Sequence, residues 1–314
     1  MKPELLHVVA VLANPVRWKT RLELFRRFEQ HMLDSGVKLT TVECAYGERP
    51  FELADDPHIN RVRVRARTLV WNKENLLNIG IARLPADWRY VAWVDGDVTF
   101  RKSGWAAEAV HALQHYHIVQ PWSDAYDLGP HDEHLQAHRS FLRQWWHGEP
   151  VCAEEAKWWN FNGGPYHYAQ SGYAWAATRQ AIEWLGGLFE LGAMGAGDHH
   201  MALSLVGKAE RSVPAGVHPA YLKHLRLWES RALHHINLNL GFLWGTIEHG
   251  WHGRKADRAY VDRWKLVIEN KFDPDTDLKR NSFGVIELAG NKPGLSLALD
   301  RYFRERNEDA NSIT

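Results

Sequence analysis

The chain has 314 residues, 45% hydrophobic and 24% charged, which is enough to bury one large core or two small ones. Its 38 basic residues balance its 38 acidic ones, and this neutral total argues against a dedicated nucleic-acid or membrane-surface binder. Two well-separated cysteines, Cys44 and Cys152, make neither a disulfide framework nor a zinc set, which is typical of a reducing compartment. No segment reads as a signal peptide or a membrane span, so we expect a cytoplasmic protein.

The first 120 residues alternate strand-like and helix-like segments. Strands are predicted at residues 5–13, 37–44, 60–67, 90–95 and 117–120, and helices at 17–33, 71–84 and 104–116. Such an alternation predicts α/β architecture, with a mostly parallel, Rossmann-like sheet flanked by helices. This half of the chain is therefore expected to bind a nucleotide.

The alternation breaks between residues 121 and 170, where tryptophan and histidine crowd together, most densely at 145–147 and 158–164. A long insertion of this kind predicts a lid or a binding loop. Beyond it we predict a strand at 173–177, helices at 179–185 and 198–206, a strand in the apolar run 238–247, and a mostly helical, charged tail from residue 257.

One apolar run ends at two acids, Asp95 and Asp97, separated only by Gly96. In open parallel α/β sheets, ligands bind at the carboxyl ends of the strands. Two carboxylates at such a position suit a hard divalent cation and the phosphates it carries. Asp-Gly between apolar segments is also a strong hairpin signal, so a simple turn is the alternative interpretation.

Two glycine-flanked histidines, His249 and His252, follow the apolar run 238–247. Placed three apart at the end of a strand, both could reach one metal ion. The alternative is a surface turn with incidental imidazoles. Together with Asp95 and Asp97, these histidines make a mixed oxygen and nitrogen donor set that favours Mn²⁺, with Mg²⁺ as the alternative.

Three further positions could act on a phosphate or a proton. Asp198 follows the glycine-rich loop 192–197 and could serve either as a helix N-cap or as a general base. Lys73 opens a helix, and Arg17 follows Pro15 just after the first strand. A helix amino terminus with a cation nearby is suited to phosphate, although solvated surface charge is the common role of any single basic residue.

A run of alternating arginines lies in the predicted strand 60–67. Arg61, Arg63, Arg65 and Arg67 share one strand face because side chains alternate with a period of two. This basic stripe could contact phosphates, but a solvated strand face is the commoner explanation.

The segment 71–81, Trp-Asn-Lys-Glu-Asn-Leu-Leu-Asn-Ile-Gly-Ile, followed by Val-Asp95-Gly-Asp97, resembles the β-1,4-galactosyltransferase and polypeptide N-acetylgalactosaminyltransferase group. These are metal-dependent glycosyltransferases of the GT-A fold. The later motifs, residues 170–179, the Gly-Gly at 186–187, Gly-Ala-Gly-Asp198 and His249-x-x-His252, follow the order found in that group. The ordered match covers roughly residues 5–255.

The resemblance implies a single GT-A catalytic domain over residues 1–255. Within it, residues 1–120 would bind the nucleotide-sugar, 121–170 would form an insertion or lid, and 171–255 would form the acceptor half. Residues 256–314 would be a helical C-terminal extension.

The resemblance also implies a role for each motif residue. Asp97 and His252 would bind the metal, His249 would replace the family's thioether ligand, and Asp95 would face both ribose and metal. Lys73 would meet the diphosphate, Pro15 and Arg17 the base, Gly172 would line the donor site, and Asp198 would be the catalytic base. The implied reaction transfers a hexose or N-acetylhexosamine from a nucleoside-diphosphate sugar, with UDP as the expected carrier, to a saccharide or other hydroxyl acceptor. Inversion is expected, with retention as the alternative, because GT-A enzymes that share the metal motif differ in the acceptor loop.

The acceptor side departs from the family pattern. Gly197 stands where the family has glutamate, and His199 and His200 stand where it has aspartates. An N-acetylglucosamine acceptor is therefore not implied, and we expect a soluble bacterial or viral relative with another acceptor. A modified base in DNA is possible but not favoured by the neutral charge. A nucleotidyltransferase and a noncatalytic carbohydrate-binding protein are the rival functions.

Overall fold

The computed structural model describes residues 2–152, 169–259 and 262–313. Its strands are β1 Leu6–Ala13, β2 Lys38–Tyr46, β3 Ile59–Ala66, β4 Tyr90–Val94, β5 Val98–Phe100, β6 Ile118–Gln120, β7 Asp124–Leu128, β8 His134–Arg139, β9 Ala174–Thr178, β10 Leu240–Phe242, β11 Thr246–His249, β12 Leu278–Arg280 and β13 Ile286–Leu288. Its α-helices are α1 Lys19–Asp34, α2 Lys73–Ile81, α3 Trp105–Ala112, α4 Phe141–Trp146, α5 Arg179–Leu185, α6 Gly197–Leu205, α7 Pro219–Arg231, α8 Arg263–Glu269, α9 Pro274–Asp277 and α10 Pro293–Glu305.

A seven-stranded sheet in the order β10-β6-β9-β4-β1-β2-β3 forms the centre of the molecule. Strands β3, β2, β1 and β4 are parallel neighbours, as are β10 and β6, whereas β9 runs antiparallel between β4 and β6. The predicted α/β class, with a mixed and mostly parallel sheet flanked by helices, is therefore confirmed.

Strand β1 is buried on both faces, as expected for a central parallel strand. Val8 and Ala10 face a cluster that contains Phe25 and Phe28 of α1. Val9 points the opposite way, into a second cluster with the apolar residues of α2. The alternation of side chains along one strand thus supplies two hydrophobic layers.

Helix α2 lies very close to the sheet because residue 80 is glycine. A Cβ at Gly80 would lie 2.6 Å from Cγ1 of Val9 and 2.8 Å from Cγ2 of Val42. Since α2 follows the parallel strand β3, its amino terminus starts at the carboxyl edge of the sheet. Lys73, the first residue of α2, is therefore held at the edge where parallel sheets bind ligands.

A second sheet, in the order β5-β11-β7-β8, adjoins this edge. The apolar run 238–247 was predicted as one strand, but it forms two: β10 joins the main sheet and β11 joins the second sheet. The chain changes sheet near Gly245, whose carbonyl accepts hydrogen bonds from the main-chain nitrogens of Ser123 and Asp124. Periodicity alone could not reveal this division.

The predicted insertion supplies structure to the same sheet. Its first part forms β7, β8 and α4, and the aromatic stretch 158–164 lies outside the described residues. The tail is less helical than predicted, because β12 and β13 form an antiparallel pair between α9 and α10. Among the described residues, no helix combines the length and apolar character needed to cross a membrane.

Candidate functional site

The backbone brings the two-aspartate turn beside the two-histidine loop. Strands β5 and β11 are antiparallel, with Val98 paired with His249. The main-chain nitrogen of Gly250 donates to the main-chain oxygen of Asp97 at 2.8 Å. Two motifs about 150 residues apart in sequence are thus held together by main-chain hydrogen bonds. The turn at residues 95–97 is not a hairpin between β4 and β5, because β4 pairs with β1 and β9.

Three side chains of these motifs converge on one point. Oδ2 of Asp97 lies 3.2 Å from Nε2 of His252 and 3.5 Å from Nε2 of His249, and the two nitrogens are 3.2 Å apart. Their donor atoms all lie within 4.8 Å of one another, and both histidines are buried. One carboxylate and two imidazoles thus come together from three of the four residues predicted as metal ligands, and Asp95 is not among them.

The hydrogen bonding and the protonation of the cluster are compatible with a bound cation. Oδ1 of Asp97 is buried and has no hydrogen-bond partner among the residues that the structure describes, an arrangement that a bound positive charge would satisfy. Burial lowers the pKa of His249, but Asp97 and Asp127 outweigh burial and raise that pKa to about 10. Burial and nearby positive charges hold the pKa of His252 well below its usual value, so its ring is neutral. Nε2 of His249, which faces Asp97 and His252, occupies a position suited to bind a divalent cation.

A buried carboxylate that sequence reasoning missed lies behind His249. Oδ1 of Asp127 is 2.9 Å from Nδ1 of His249 and accepts from the hydroxyl of Tyr173 at 2.7 Å. Its other oxygen lies 2.7 Å from Nε2 of His138 and also pairs with Lys255. Burial would raise the pKa of Asp127, but these hydrogen bonds hold it far below its usual range. Nothing in the local sequence around Asp127 marks it as a functional residue.

Asp95 turns away from the histidines and toward α2. Its Oδ1 accepts a 2.9 Å hydrogen bond from Nζ of Lys73. Burial lowers the pKa of Lys73, but Asp95 and Asp198 outweigh burial and keep it above its usual value. Lys73 is therefore a permanent cation between two carboxylates at the carboxyl edge of the sheet.

Asp198 lies in the first turn of α6. It does not occupy the N-cap position, which was the structural alternative to its role as a base. The capping position is Ala196, whose φ is +71°, and Asp198 instead accepts from the main-chain nitrogen of His199 at 2.8 Å. Gly172 is held against this carboxylate, since a Cβ there would lie 2.9 Å from Oδ2 of Asp198. The fold thus brings Gly172, Asp198 and Lys73 into one region.

Glu74 occupies the space over Gly197, where the related family has a glutamate. A Cβ at Gly197 would lie 2.4 Å from the carboxyl carbon of Glu74. Burial is the main cause that raises the pKa of Glu74 to about 7. Sequence reasoning missed this residue because it lies on another element, 123 positions earlier.

The two histidines after Asp198 have structural partners. His200 is fully buried, with Nδ1 2.7 Å from Oγ of Ser212 and Nε2 2.8 Å from the hydroxyl of Tyr221. Burial lowers the pKa of His199 to about 4, so this ring is neutral. Neither histidine supplies the negative charge found at these positions in the related family.

The predicted base-binding residues lie at the carboxyl end of β1. Arg17 is half exposed, has a φ of +65°, and its Nε lies 3.4 Å from Oε1 of Glu52. The carbonyl of Pro15 accepts from Arg49. A shallow pocket lined by Asn14, Arg17, Tyr46 and Glu52 opens here. The positive φ of Arg17 also explains why α1 begins at Lys19 and not at residue 17.

Most arginines of the stripe bond to other residues of the same chain. Arg61 pairs with Glu29, Arg63 lies 2.8 Å from Asp55, and Arg65 donates to the carbonyls of Gly47 and Arg49. Three of the four arginines are thus bonded within the fold, and Arg67 lies exposed just beyond β3. The stripe gives a DNA acceptor no support.

The C-terminal tail packs on the histidine loop, which sequence reasoning did not foresee. Nε1 of Trp251 donates to the carbonyl of Ala310 at 2.6 Å, and a Cβ at Gly253 would lie 2.6 Å from the carbonyl of Asn307. Glu308 pairs with Arg21 at 2.5 Å, and its other oxygen lies 3.9 Å from Nδ1 of His252. The tail therefore forms part of the wall of the site.

No family model matches the chain, and no curated protein matches it. Among solved structures, it is similar to a Drosophila β-1,4-galactosyltransferase 7 in complex with manganese, UDP-Gal and xylobiose, with 11% identity, a TM-score of 0.42 and coverage of 93% of this chain and 98% of that chain. A second structure of that catalytic domain, with xylobiose, has 10% identity, a TM-score of 0.38, and coverage of 92% and 98%. A nucleotide-diphospho-sugar transferase from Desulfovibrio desulfuricans has 12% identity, a TM-score of 0.34, and coverage of 96% and 98%. These neighbours are GT-A transferases, the group that the sequence motifs resemble.

Proposed function

We propose that the protein is a metal-dependent glycosyltransferase that moves a hexose or N-acetylhexosamine from a UDP-sugar to a hydroxyl acceptor. The observation that carries this proposal is the convergence of Asp97, His249 and His252 at the carboxyl edge of the sheet, near a cationic Lys73. A metal ion and a lysine are the usual means of neutralising a diphosphate. A cation held at this cluster would stabilise the charge that develops on the departing nucleoside diphosphate.

Lys73 and Asp95 would bind the donor. Nζ of Lys73 donates one hydrogen bond to Oδ1 of Asp95 at 2.9 Å, and a further N–H of the ammonium could donate to a phosphate oxygen. The neutralised Asp95 could then contact the ribose of the same nucleotide. Pro15 and Arg17, at the end of β1, would contact the base, and Gly172 would leave space beside Asp198 for the sugar.

Asp198 would take the proton of the attacking acceptor hydroxyl. Its carboxylate lies in the first turn of α6, and its Oδ2 faces the open space at Gly172, where an acceptor hydroxyl could approach it. Attack from the face opposite the leaving diphosphate would invert the anomeric centre. The acceptor is a saccharide or another hydroxyl compound, and the absence of acids at His199 and His200 argues against the acceptor contacts of the related family.

The test is to incubate the protein with a panel of nucleotide-sugars and Mn²⁺, without acceptor, and to measure the nucleoside diphosphate released to water. We expect release from a UDP-sugar, dependent on metal and lost in Asp97→Ala and His252→Ala. Pyrophosphate release from a nucleoside triphosphate would favour a nucleotidyltransferase. Sugar binding without metal, and with no donor turnover, would favour a noncatalytic carbohydrate-binding protein. Either of these results would overturn the proposal.

A further inference from the structure

We infer that Asp127 is a positioning residue for the metal centre. It accepts a hydrogen bond from Nδ1–H of His249 and thereby directs Nε2 of that ring at the cation. This inference rests on the proposed metal dependence and adds to it a second layer of residues. Asp127 belongs to β7, a strand of the predicted insertion, and not to either metal motif.

The strand register places Asp127 directly beside His249. Strands β7 and β11 are parallel, and Asp127 is the register partner of His249. Oδ1 of Asp127 lies 2.9 Å from Nδ1 of His249, on the opposite side of the ring from Asp97 and His252. In metal-binding histidines, the N–H of the second ring nitrogen commonly donates a hydrogen bond to a carboxylate in this manner.

The partners of Asp127 decide which way the proton lies. Oδ1 accepts from the Tyr173 hydroxyl at 2.7 Å, and Lys255 supplies a positive charge at Oδ2. Nδ1 of His249 therefore faces Asp127 at 2.9 Å, whereas Nε2 faces Oδ2 of Asp97 at 3.5 Å and Nε2 of His252 at 3.2 Å. Nε2 is the nitrogen that the ring presents to a cation. The Tyr173 ring, with its centroid 4.7 Å from that of His249, limits rotation of the imidazole.

Tyr173 also links this support to the aspartate turn. Its carbonyl accepts from the main-chain nitrogen of Asp95 at 2.7 Å, and its own main-chain nitrogen donates to Oδ2 of Asp95 at 3.3 Å. One residue therefore holds Asp95 through its backbone and Asp127 through its hydroxyl. Both sides of the centre are oriented by the same segment of chain.

The experiment measures Mn²⁺ affinity directly, by calorimetry or by the electron paramagnetic resonance signal of free Mn²⁺, with no substrate present. Asp127→Asn removes the charge that fixes the His249 ring, and we expect roughly 10- to 100-fold weaker Mn²⁺ binding. Tyr173→Phe, a milder change, should weaken binding by a smaller factor. Asp124→Asn is the matched control on the same strand, because Asp124 is partly exposed and pairs with Arg143 away from the histidines. It should bind Mn²⁺ like the wild type.

A double-mutant cycle separates positioning from general structural support. Methionine has no Nδ1 proton, so in a His249→Met background Asp127→Asn should change Mn²⁺ affinity by less than about twofold. An equal loss in both backgrounds, or an unchanged affinity in Asp127→Asn alone, would overturn the inference while leaving metal dependence intact. A wild-type protein that binds no Mn²⁺ would overturn both the inference and the proposed function. Thermal unfolding of each variant identifies any that does not fold, and Tyr173→Phe then supplies the comparison.

Discussion

The main-chain nitrogen of Gly250 donates a 2.8 Å hydrogen bond to the main-chain oxygen of Asp97. This single bond extends the β5–β11 pairing beyond His249, so the carboxylate and the two imidazoles are fixed by backbone geometry as well as by their own contacts. Residue 250 also passes very close to α1, since a Cβ there would lie 2.6 Å from Cδ2 of Leu24. A side chain at residue 250 would displace the end of the Leu24 side chain, so glycine allows the loop to lie this close to α1.

The first prediction concerns the cluster itself. Asp97→Asn removes the charged oxygen ligand, and His252→Ala removes an imidazole whose Nε2 lies 3.2 Å from that carboxylate. Each should weaken Mn²⁺ binding by roughly 100-fold or more, because each removes one of the few side chains that would coordinate the cation directly. Calorimetric titration with Mn²⁺ checks this. His131→Ala, at an exposed ring on the insertion, is the control, and equal affinities in all three variants would exclude this cluster as the metal site.

The second prediction concerns the diphosphate. Lys73→Met should raise the Kd for UDP in the presence of Mn²⁺ by roughly 10- to 100-fold, since a charge-assisted hydrogen bond contributes about 1.5–3 kcal/mol. Mn²⁺ affinity measured without nucleotide should change much less. Lys19→Met is the matched control, because its side chain is 81% exposed on α1. If both variants bind UDP like the wild type, Lys73 is a structural partner of Asp95 and not a phosphate ligand.

The sequence was sufficient to predict the parts of this site that depend on local pattern. The predicted strands and helices of residues 5–120 lie within a few residues of their observed bounds, because each carries its own periodicity and stop signal. The short strand β5, Val98–Phe100, was not predicted. Asp97, His249 and His252 were each marked by glycine at the end of an apolar run, and the structure brings their side chains together.

What the sequence did not reveal is contact between distant elements. Asp127 supports His249 through the register of two strands, although the two residues are 122 positions apart in sequence. Glu308 approaches His252 from the C-terminal tail. Nothing in the local pattern of residues 120–130 or 302–310 marks these residues. They become visible only once the second sheet and the tail are in place.

The third prediction concerns the base. Asp198→Asn keeps the shape of the side chain but cannot accept a proton, so the rate of sugar transfer should fall by roughly 10²- to 10⁴-fold. The Kd values for Mn²⁺ and UDP should stay within about threefold of wild type, because Asp198 lies outside the metal cluster. Rates are measured by single-turnover transfer to the acceptor, or to water if none is found. A transfer rate equal to wild type would show that another group removes the proton.

The fourth prediction concerns the space beside that base. In Gly172→Ala the new Cβ would lie 2.9 Å from Oδ2 of Asp198, so the carboxylate must move by several tenths of an ångström. We expect a roughly 10- to 100-fold loss of transfer rate, since catalytic groups act only within a narrow range of positions. Gly245→Ala is the control, because its Cβ would meet the Lys102 side chain at an ordinary 3.6 Å. Equal transfer rates in the two variants would contradict the role of Gly172.

The last prediction uses the buried carboxyl of Glu74, whose pKa is raised from 4.5 to about 7, mainly by burial. Between these two pH values the folded state holds a proton that the unfolded state has lost, so the contribution of this group to stability falls as the pH rises through the window. Above pH 7 the loss is complete. Glu74→Gln cannot ionise, and its stability relative to wild type should therefore rise by on the order of 2 kcal/mol between pH 4.5 and 7.5.

Denaturant unfolding at several pH values measures this difference in the free energy of unfolding. Glu23→Gln, which removes a half-exposed carboxylate from α1, is the control for the loss of one acid. A gap between Glu74→Gln and wild type that stays constant from pH 4.5 to 7.5 would mean that Glu74 ionises alike in both states. The carboxyl packed over Gly197 would then carry its charge at neutral pH, beside Asp198. A gap that widens with pH would instead mean that Glu74 enters the neutral range partly protonated, as its raised pKa predicts.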